Sequence, residues 1–225
     1  MGINHLAIIM DGNRRWAAAR KLKPIEGHRQ GVNTLAEITK YAAQAGIKYL
    51  TVYTLSTENL KERSVSEIAG LIKLINEGLN DRLPELQKEQ VRIEFIGNLD
   101  FLPANLRKTI GKAYYVLQGN SRIQLNICLN YGSRAEILNA VNKLIQEKIE
   151  KIDEGSFQNY LYTKDLPDPD LIVRTGGQKR LSNFLLWQGA YSELFFTGTL
   201  WPEFSTKELD SILMEFRERK RNFGR

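Results

Sequence analysis

Short apolar runs alternate along the chain with longer segments in which apolar residues recur every three or four positions. The runs are typical of buried strands, and the periodic segments are typical of amphipathic helices. Strands are predicted at His5–Asp11, Ile47–Leu55, Val91–Ile96, Ile123–Asn130, Leu171–Arg174 and Glu193–Thr197. Helices are predicted at Ile25–Gly46, from Ser64 onward, and at Pro103–Leu117, Arg134–Glu150, Asn183–Tyr191 and Thr206–Arg221.

This alternation predicts an α/β fold with a mostly parallel central sheet that helices cover on both faces. No repeat, low-complexity tract or linker divides the sequence, so residues 1–225 are expected to form a single domain. The polar stretch Asp153–Asn159 is expected to be a surface loop. Ligands of such folds lie beyond the carboxyl ends of the strands. Apolar residues of the helix after Arg134 that are expected to face inward are Ile137, Leu138, Val141, Leu144 and Ile145.

Charge and composition narrow the possible functions only partly. The chain carries 32 basic and 26 acidic residues, a formal charge of +6, and therefore attracts anions such as diphosphates, nucleic acid or acidic lipid. Its single cysteine, Cys128, can form no intrachain disulfide. No signal peptide or membrane span is recognisable. We expect a cytoplasmic protein without a transmembrane segment.

Charged and flexible residues follow the first predicted strand, in the order Asp11, Gly12, Asn13, Arg14, Arg15 and Trp16. A carboxylate at this place can hold Mg2+, and arginines with the amides of a helix start can hold phosphate oxygens. The alternative is an Asp-Gly turn with an asparagine cap and solvated arginines.

A second cluster runs from Arg174 through Gly176 and Gly177 to Arg180 and Ser182. Two arginines beside a double glycine suit another phosphate, because glycine lets backbone approach the ligand closely. The alternative is a glycine-rich turn in which Ser182 or Asn183 caps a helix. Glu193 then begins a strand, where it could share a metal with Asp11 or simply be solvated.

Two further groups remain ambiguous on residue type alone. His28 lies near a helix start, where a histidine is more often structural than catalytic. The segment Ser56–Asn59 closes the second strand, and its residue types also favour an ordinary turn or cap. The sequence lacks a P-loop, zinc-ligand spacing, a Gly-x-Ser-x-Gly elbow and the paired-aspartate motif of trans-prenyl synthases.

Taken in order, these segments resemble the motifs of the cis-prenyltransferase (undecaprenyl diphosphate synthase) family over nearly the whole chain. The matching segments are His5–Trp16, Gly27–Gly31, Ser56–Asn59, Asn130–Gly132 and Arg174–Phe204. The resemblance implies an Mg2+-dependent homodimer with an apolar tunnel at the carboxyl edge of its sheet. Such an enzyme condenses isopentenyl diphosphate with an allylic diphosphate, such as farnesyl or geranyl diphosphate. An undecaprenyl-length product is the default, a short-chain product is the alternative, and product release could involve transient membrane contact.

The resemblance also assigns roles to individual residues. Asp11 is implied to be the main catalytic carboxylate and a magnesium ligand, and Glu193 the second ligand. Asn59, with Ser56, is implied to assist proton loss. Residues implied to bind the substrates are Gly12, Asn13, Arg14, Arg15, Trp16, His28, Ser56, Thr57, Glu58, Arg63, Arg174, Arg180 and Ser182.

Several positions depart from the usual family pattern. Pro24 replaces a common arginine, Gln178 a frequent glutamate, and Asn222 interrupts the C-terminal basic run. Leu60 replaces a common tryptophan, and the segment after it is one residue longer, so Arg63 rather than Glu62 is expected to match the family's arginine. Thr54 lies where side-chain bulk influences product length in relatives, and threonine is an intermediate choice.

Three other functions are weighed against this one. A nucleic-acid-binding module would explain the positive charge, but aromatic residues are not interleaved with the basic run, and no nucleic-acid partner is expected. A non-catalytic partner subunit would tend to lack the carboxylate that Asp11 supplies. A phosphatase could also use Mg2+ and arginines, and the identity of the product would distinguish it.

Overall fold

Six strands form the central sheet in the computed structural model, which describes residues 2–218. The strands are β1 His5–Ile9, β2 Tyr49–Ser56, β3 Val91–Ile96, β4 Ile123–Tyr131, β5 Leu171–Arg174 and β6 Glu193–Phe196. Their spatial order is β3-β4-β2-β1-β5-β6, and neighbouring strands pair in parallel. The predicted parallel sheet is therefore confirmed, and all six predicted strands are present to within a few residues.

Helices connect the strands and cover both faces of the sheet. They are α1 Asn13–Ala19, α2 Pro24–Gln44, α3 Thr57–Glu62, α4 Val65–Lys88, α5 Ala104–Leu117, α6 Ser133–Gln146, α7 Glu154–Gln158 and α8 Thr206–Glu218, with a 3-10 turn at Trp201–Glu203. Local signals set two of the starts. Pro24 occupies the first turn of α2, where its missing N–H costs nothing. The Ser64 hydroxyl accepts from the Glu67 amide and caps α4.

The apolar core divides into two parts because the sheet is buried on both faces. Leu6 and Ile8 of β1 belong to the larger cluster, to which α2, α4, α5 and α8 contribute. Ala7 and Ile9 point to the other face and belong to a smaller cluster. Alternate residues of one strand are thus all buried, as expected for a doubly covered parallel sheet.

Several local predictions need correction. Residues Asn183–Tyr191 form turns instead of a helix. The predicted loop after Ser56 contains the short helix α3, and the stretch Asp153–Asn159 contains α7. The last helix is described as far as Glu218, so the rest of its predicted range and Asn222 lie outside the described residues.

The apolar stripe of α6 faces outward, which contradicts the prediction for three of its residues. Leu138 is 63% exposed, Val141 38% and Ile145 67%. The buried side of α6 instead includes Ser133, Glu136, Ala140 and Leu144. None of the helices within residues 2–218 combines the length and apolar composition that a membrane span requires.

Candidate active site

The turn after β1 fixes Asp11 at the carboxyl edge of the sheet. Gly12 has a φ of 118°, and a Cβ there would lie 2.9 Å from Leu200, so the turn requires glycine. The Asp11 carbonyl accepts hydrogen bonds from Thr175 Oγ1 (2.7 Å) and from the Trp201 amide (3.0 Å). Contacts from two distant parts of the chain therefore hold the backbone of Asp11.

The two charged clusters, more than 160 residues apart in sequence, meet at the Asp11 carboxylate. Its Oδ2 accepts from an Arg174 guanidinium nitrogen at 2.9 Å, and its Oδ1 accepts from Arg15 at 3.2 Å. Ile9 pairs with Arg174 in the parallel register of β1 and β5. The sheet itself thus brings the first cluster to the second.

Arg174 organises the second cluster from a buried position, with only 5% of its surface exposed. Its Nη1 donates to the Ser182 hydroxyl at 2.8 Å and to the Arg180 carbonyl at 2.5 Å. Ser182 therefore does not cap a helix of its own. Asn183 does act as a cap, but across the fold, because its Oδ1 accepts from the Arg134 amide in the first turn of α6.

A polar pocket of about 790 Å3 opens around these side chains. It is lined by Ile9, Met10, Asp11, Gly12, Asn13, Arg14, Arg15, His28, Tyr53, Thr54, Ser56, Glu58, Asn59, Arg63, Arg174, Arg180, Ser182 and Asn183. Five guanidinium groups face two carboxylates in this lining, so the pocket favours a multiply charged anion.

Five polar atoms of the pocket-lining residues are buried without a hydrogen-bond partner in the protein: Asn13 Oδ1, His28 Nε2, Thr54 Oγ1, Arg63 Nη1 and Arg174 Nε. A buried polar atom left unpaired costs roughly 1–3 kcal/mol, so such atoms are typical of sites that a ligand completes. Together with the excess of arginines, they indicate that the pocket binds an acceptor-rich anion.

The protein keeps His28 neutral at physiological pH. Burial, together with the neighbouring Arg63 and Arg14 guanidinium groups, lowers the pKa of His28 from 6.5 to about 4, and burial is the largest cause. A neutral imidazole adds a hydrogen-bonding atom to the pocket without adding to the repulsion among its arginines.

Acidification is expected to destabilise the fold through His28. Between about pH 6.5 and pH 4 the unfolded chain binds a proton that the folded protein excludes, so stability falls as the pH decreases through this range. The loss from this one group is roughly 3 kcal/mol. Urea unfolding at neutral pH and near pH 4 measures this loss in the free energy of unfolding. Wild type should lose more stability than His28→Gln by about this amount, and an equal loss in both proteins would contradict the prediction.

An apolar cavity of about 150 Å3 begins beside the polar pocket and runs between α2, α4 and the sheet. Asn13, His28 and Thr54 line both spaces. Lining residues farther along include Val32, Leu35, Leu71, Leu74, Ile75, Gly78, Leu79, Val91 and Ile127. The predicted apolar tunnel is therefore present, and it extends from the carboxyl edge toward the start of β3.

The segment after β2 faces the pocket through a capped helix. Ser56 Oγ accepts from the Asn59 amide at 3.0 Å and starts α3. Glu58 Oε1 accepts from Asn183 Nδ2 at 2.9 Å, which links this segment to the second cluster. The Arg63 side chain is 14% exposed and lines the pocket, whereas Glu62 is exposed.

Three predicted site residues do not line the pocket. Thr57 lines a neighbouring pocket, and Trp16 is half-buried with Arg20 stacked over its ring. Glu193 pairs with Leu171 at the amino end of β6, three residues from the end where Arg174 lies. Since three strand residues span about 10 Å, one chain does not bring Glu193 to Asp11.

Tyr53 and Asn183 line the pocket although sequence analysis did not assign them to it. Tyr53 lies inside β2, three residues before Ser56. Its position near the carboxyl end of that strand was the only sequence signal that it could line the pocket. Asn183 was considered only as a helix cap. Its polar side chain directly after Ser182 was the available signal.

A metal could be held at Asp11 only with the help of a ligand. Within the described residues no three His, Cys, Asp or Glu side chains cluster as a metal cage. Mg2+ is commonly held by one or two carboxylates together with substrate phosphates. The Asp11 side chain is 28% exposed beside the arginines, so its carboxylate fits that mode.

Comparison with known proteins gives consistent matches over the full chain. The family model described as putative undecaprenyl diphosphate synthase matches residues 9–224. An isoprenyl transferase of Oceanobacillus iheyensis is 46% identical, covering 98% of this chain and 90% of the relative. A farnesyl-diphosphate-specific ditrans,polycis-undecaprenyl-diphosphate synthase of Micrococcus luteus is 43% identical with the same coverage.

Two solved structures share the fold closely. Lavandulyl diphosphate synthase from Lavandula x intermedia, in complex with dimethylallyl diphosphate, has a TM-score of 0.94 at 36% identity, covering 99% of this chain and 98% of that one. A probable undecaprenyl diphosphate synthase from Campylobacter jejuni has a TM-score of 0.83 at 34% identity, with both chains fully covered.

Proposed function

The chain belongs to the undecaprenyl diphosphate synthase family of prenyltransferases, and from this premise we propose that it condenses isopentenyl diphosphate with an allylic diphosphate in cis geometry. One observation carries the proposal for these substrates. A pocket with five arginines and the Asp11 carboxylate opens directly into an apolar cavity. This combination suits molecules that have a diphosphate head and a hydrocarbon tail.

The first cluster is proposed to hold the allylic diphosphate. The start of α1 presents backbone amides, and Arg14 and Arg15 extend from it as exposed guanidinium groups. Negative charge accumulates on the diphosphate as its bond to the allylic carbon breaks. Arginines that are already in place stabilise that charge, which lowers the barrier. The hydrocarbon tail then enters the cavity between α2 and α4, where water is excluded from the allyl cation.

The second cluster is proposed to hold isopentenyl diphosphate through Arg174, Arg180 and Ser182. This substrate keeps its diphosphate, and its double bond attacks the allylic carbon. The new carbon–carbon bond forms at the allyl cation after the allylic carbon–oxygen bond has broken and diphosphate has departed, and a proton then leaves the isopentenyl unit. Asn59 and Ser56 line the same pocket and are proposed to assist that proton's departure.

Mg2+ is proposed as the cofactor, held by Asp11 together with substrate phosphate oxygens. When bound, it supplies positive charge that stabilises the departing diphosphate. Hydrogen bonds from Arg15 and Arg174 hold the Asp11 carboxylate in position. Glu193 stays a predicted ligand that the single chain does not bring to this site.

Incubation with labelled isopentenyl diphosphate tests the proposal. With farnesyl or geranyl diphosphate and Mg2+, label should appear in chain-extended diphosphates, and chelation by EDTA should stop the reaction. Release of inorganic phosphate without chain extension would instead indicate a phosphatase. No consumption of either substrate would indicate a non-catalytic subunit.

An undecaprenyl-length product is proposed by analogy with the Micrococcus luteus relative. One observation favours a short-chain product as a second candidate. The apolar cavity has a volume of about 150 Å3, which is small for a long hydrocarbon chain. A long chain must therefore move α4 away from α2. Surface ion pairs between these helices, Arg29 with Glu77 and Lys40 with Glu89, contribute about 0–1 kcal/mol each and oppose that movement weakly.

Filling the cavity is expected to shorten the product. A Cβ added at Gly78 of α4 would lie 3.5 Å from Val32 of α2, an ordinary contact, and the rest of a leucine would extend between the two helices. Gly78→Leu should therefore fold well, since leucine favours helix over glycine, and should stop elongation early. Chromatography of the products measures this. Gly111→Leu on α5, where a Cβ meets nothing within 4 Å, is the control. Unchanged product lengths in both variants would contradict the prediction.

A homodimer is proposed, supported by the outward apolar face of α6. Leu138, Val141 and Ile145 follow one another at helical spacing and are exposed, an arrangement typical of a helix that packs against another chain. A second copy is the occupant that the family resemblance implies.

Charge on this face is expected to disrupt the dimer. Ile145→Glu should shift sedimentation equilibrium toward the monomer, because it buries an unpaired carboxylate in the interface. Tyr115→Glu, at a similarly exposed apolar residue of α5, should have no effect. A wild-type protein that sediments as a monomer at all concentrations would refute the proposed dimer.

A further inference from the structure

The segment from Arg180 to Gln188 has a strained backbone. Ser182, Asn183 and Leu185 have φ values of 50°, 65° and 45°, in the left-handed region that side chains other than glycine rarely adopt. This region costs energy at each residue and persists only where surrounding contacts hold it. The segment includes two of the residues proposed to bind isopentenyl diphosphate, so its conformation determines where they lie.

Hydrogen bonds hold the first part of the segment at Arg180 and Ser182. Arg174 donates to the Arg180 carbonyl and to the Ser182 hydroxyl. The start of α6 holds the middle, because the Ser133 amide donates to the Asn183 carbonyl and the Ser133 hydroxyl accepts from the Leu186 amide.

Glu136 holds the far end of the segment. This carboxylate is fully buried on α6, and its Oε2 accepts from Gln188 Nε2 at 3.0 Å and from the Tyr131 hydroxyl at 2.6 Å. Its Oε1 accepts from the Tyr162 amide at 2.9 Å. All three partners donate, so the carboxylate acts only as an acceptor. No step of the proposed reaction uses Glu136, although burying a carboxylate is costly.

Gln188 depends on this carboxylate for its position. Its Nε2 also donates to Thr163 Oγ1 at 2.7 Å, while its Oε1 is buried without a hydrogen-bond partner. Glu136 and Thr163 are thus the side chains that fix the buried amide. Without Glu136, the end of the strained segment loses its charged anchor.

We propose that Glu136 is a positioning residue for isopentenyl diphosphate, which it orients through Gln188 by holding residues 182–188 in their strained conformation. The inference rests on the proposed function of the Arg174 cluster. It predicts a selective effect, since the allylic diphosphate is assigned to α1, which is linked to this segment indirectly, from Arg15 through Asp11 and Arg174.

Two substitutions, one at each partner, test the hydrogen bond between Glu136 and Gln188. In Glu136→Leu all three hydrogen bonds of the carboxylate are lost, including the one from Gln188. Gln188→Leu removes the link but leaves Glu136 its two other donors, which makes it the milder variant for folding. Steady-state kinetics give kcat and the KM of each substrate. Calorimetric titration gives the affinity for isopentenyl diphosphate without requiring turnover.

Both variants should raise the KM and Kd for isopentenyl diphosphate by about tenfold or more, equivalent to about 1.4 kcal/mol. The KM for farnesyl diphosphate should change by less than about twofold, well within 1 kcal/mol. The control is Thr51→Val, which removes an equally buried hydroxyl from the His5–Thr51–Asn126 network elsewhere in the sheet. It should lower Tm and leave both substrates unaffected.

Several results would overturn the inference. Equal changes in the KM of both substrates would mean a general structural role, as would a lowered Tm with an unchanged affinity for isopentenyl diphosphate. If wild type binds isopentenyl diphosphate but does not condense it, the proposed function fails while the titrations still decide the role of Glu136. If wild type does not bind it at all, both fail.

Discussion

Asp11→Asn is expected to reduce turnover by at least about a thousandfold, because it removes the carboxylate that would hold Mg2+ against the departing diphosphate. The substitution is nearly isosteric. The asparagine carbonyl can still accept from Arg174, and the neighbouring Arg15 is exposed. The fold should therefore be retained, and Tm should change little.

Single-turnover kinetics with saturating substrates measure the effect on Asp11→Asn. Glu203→Gln is the matched control, since it removes another partly exposed carboxylate that pairs with an arginine, Arg20, outside the pocket. The control should retain full activity. Near wild-type turnover in Asp11→Asn would show that this carboxylate is not the metal site.

Arg174→Lys is expected to reduce kcat/KM for isopentenyl diphosphate by about a hundredfold even though the charge is kept. Arg174 donates to Asp11, Ser182 and the Arg180 carbonyl at once, and a single ammonium cannot reproduce that planar arrangement. Loss of the fork displaces the catalytic carboxylate and the strained segment together. Both the KM for isopentenyl diphosphate and kcat should therefore change.

Arg92→Lys provides the control for Arg174→Lys. Arg92 also makes a forked contact, with Glu94 at 2.9 and 2.7 Å, but it lies exposed on β3 outside the pocket. Its kinetics should match wild type. If Arg174→Lys retains wild-type kcat/KM as well, the fork at Arg174 has no part in catalysis.

The sequence predicted the sheet well because its central strands, such as β1 and β5, are buried along their whole length and are largely apolar. The edge strands β3 and β6 are partly exposed. The sequence also predicted that Asp11 and Arg174 would meet, since both follow or end strands at the carboxyl edge of a parallel sheet. What it could not give was the strand order, with β1 beside β5. The resemblance to a family supplied the expectation that the pocket would adjoin an apolar tunnel.

The errors have physical causes that one sequence does not reveal. Residues Asn183–Tyr191 are apolar enough for a buried helix, but Phe184 and Leu185 are buried instead as part of a strained turn. The α6 stripe was expected to face inward because periodicity does not distinguish a buried face from an exposed one. Glu193 was assigned to the metal by the family resemblance, and in the single chain it starts β6, at the opposite end of the strand from Phe196, which pairs with Arg174.

Sequence analysis could not identify Glu136 as a buried residue for a similar reason. A glutamate in the first turn of a helix usually indicates a favourable interaction with the helix dipole at the surface. Only the folded structure reveals that this one is buried and hydrogen-bonded to Tyr131, Tyr162 and Gln188.

A crystal structure with an unreactive allylic thiodiphosphate, isopentenyl diphosphate and Mg2+ would test the central claim most directly. We expect the allylic diphosphate at the start of α1 with Mg2+ at Asp11, isopentenyl diphosphate on Arg174, Arg180 and Ser182, and the allylic tail between α2 and α4. Diphosphates bound elsewhere, or an allylic tail pointing away from that cavity, would contradict the account.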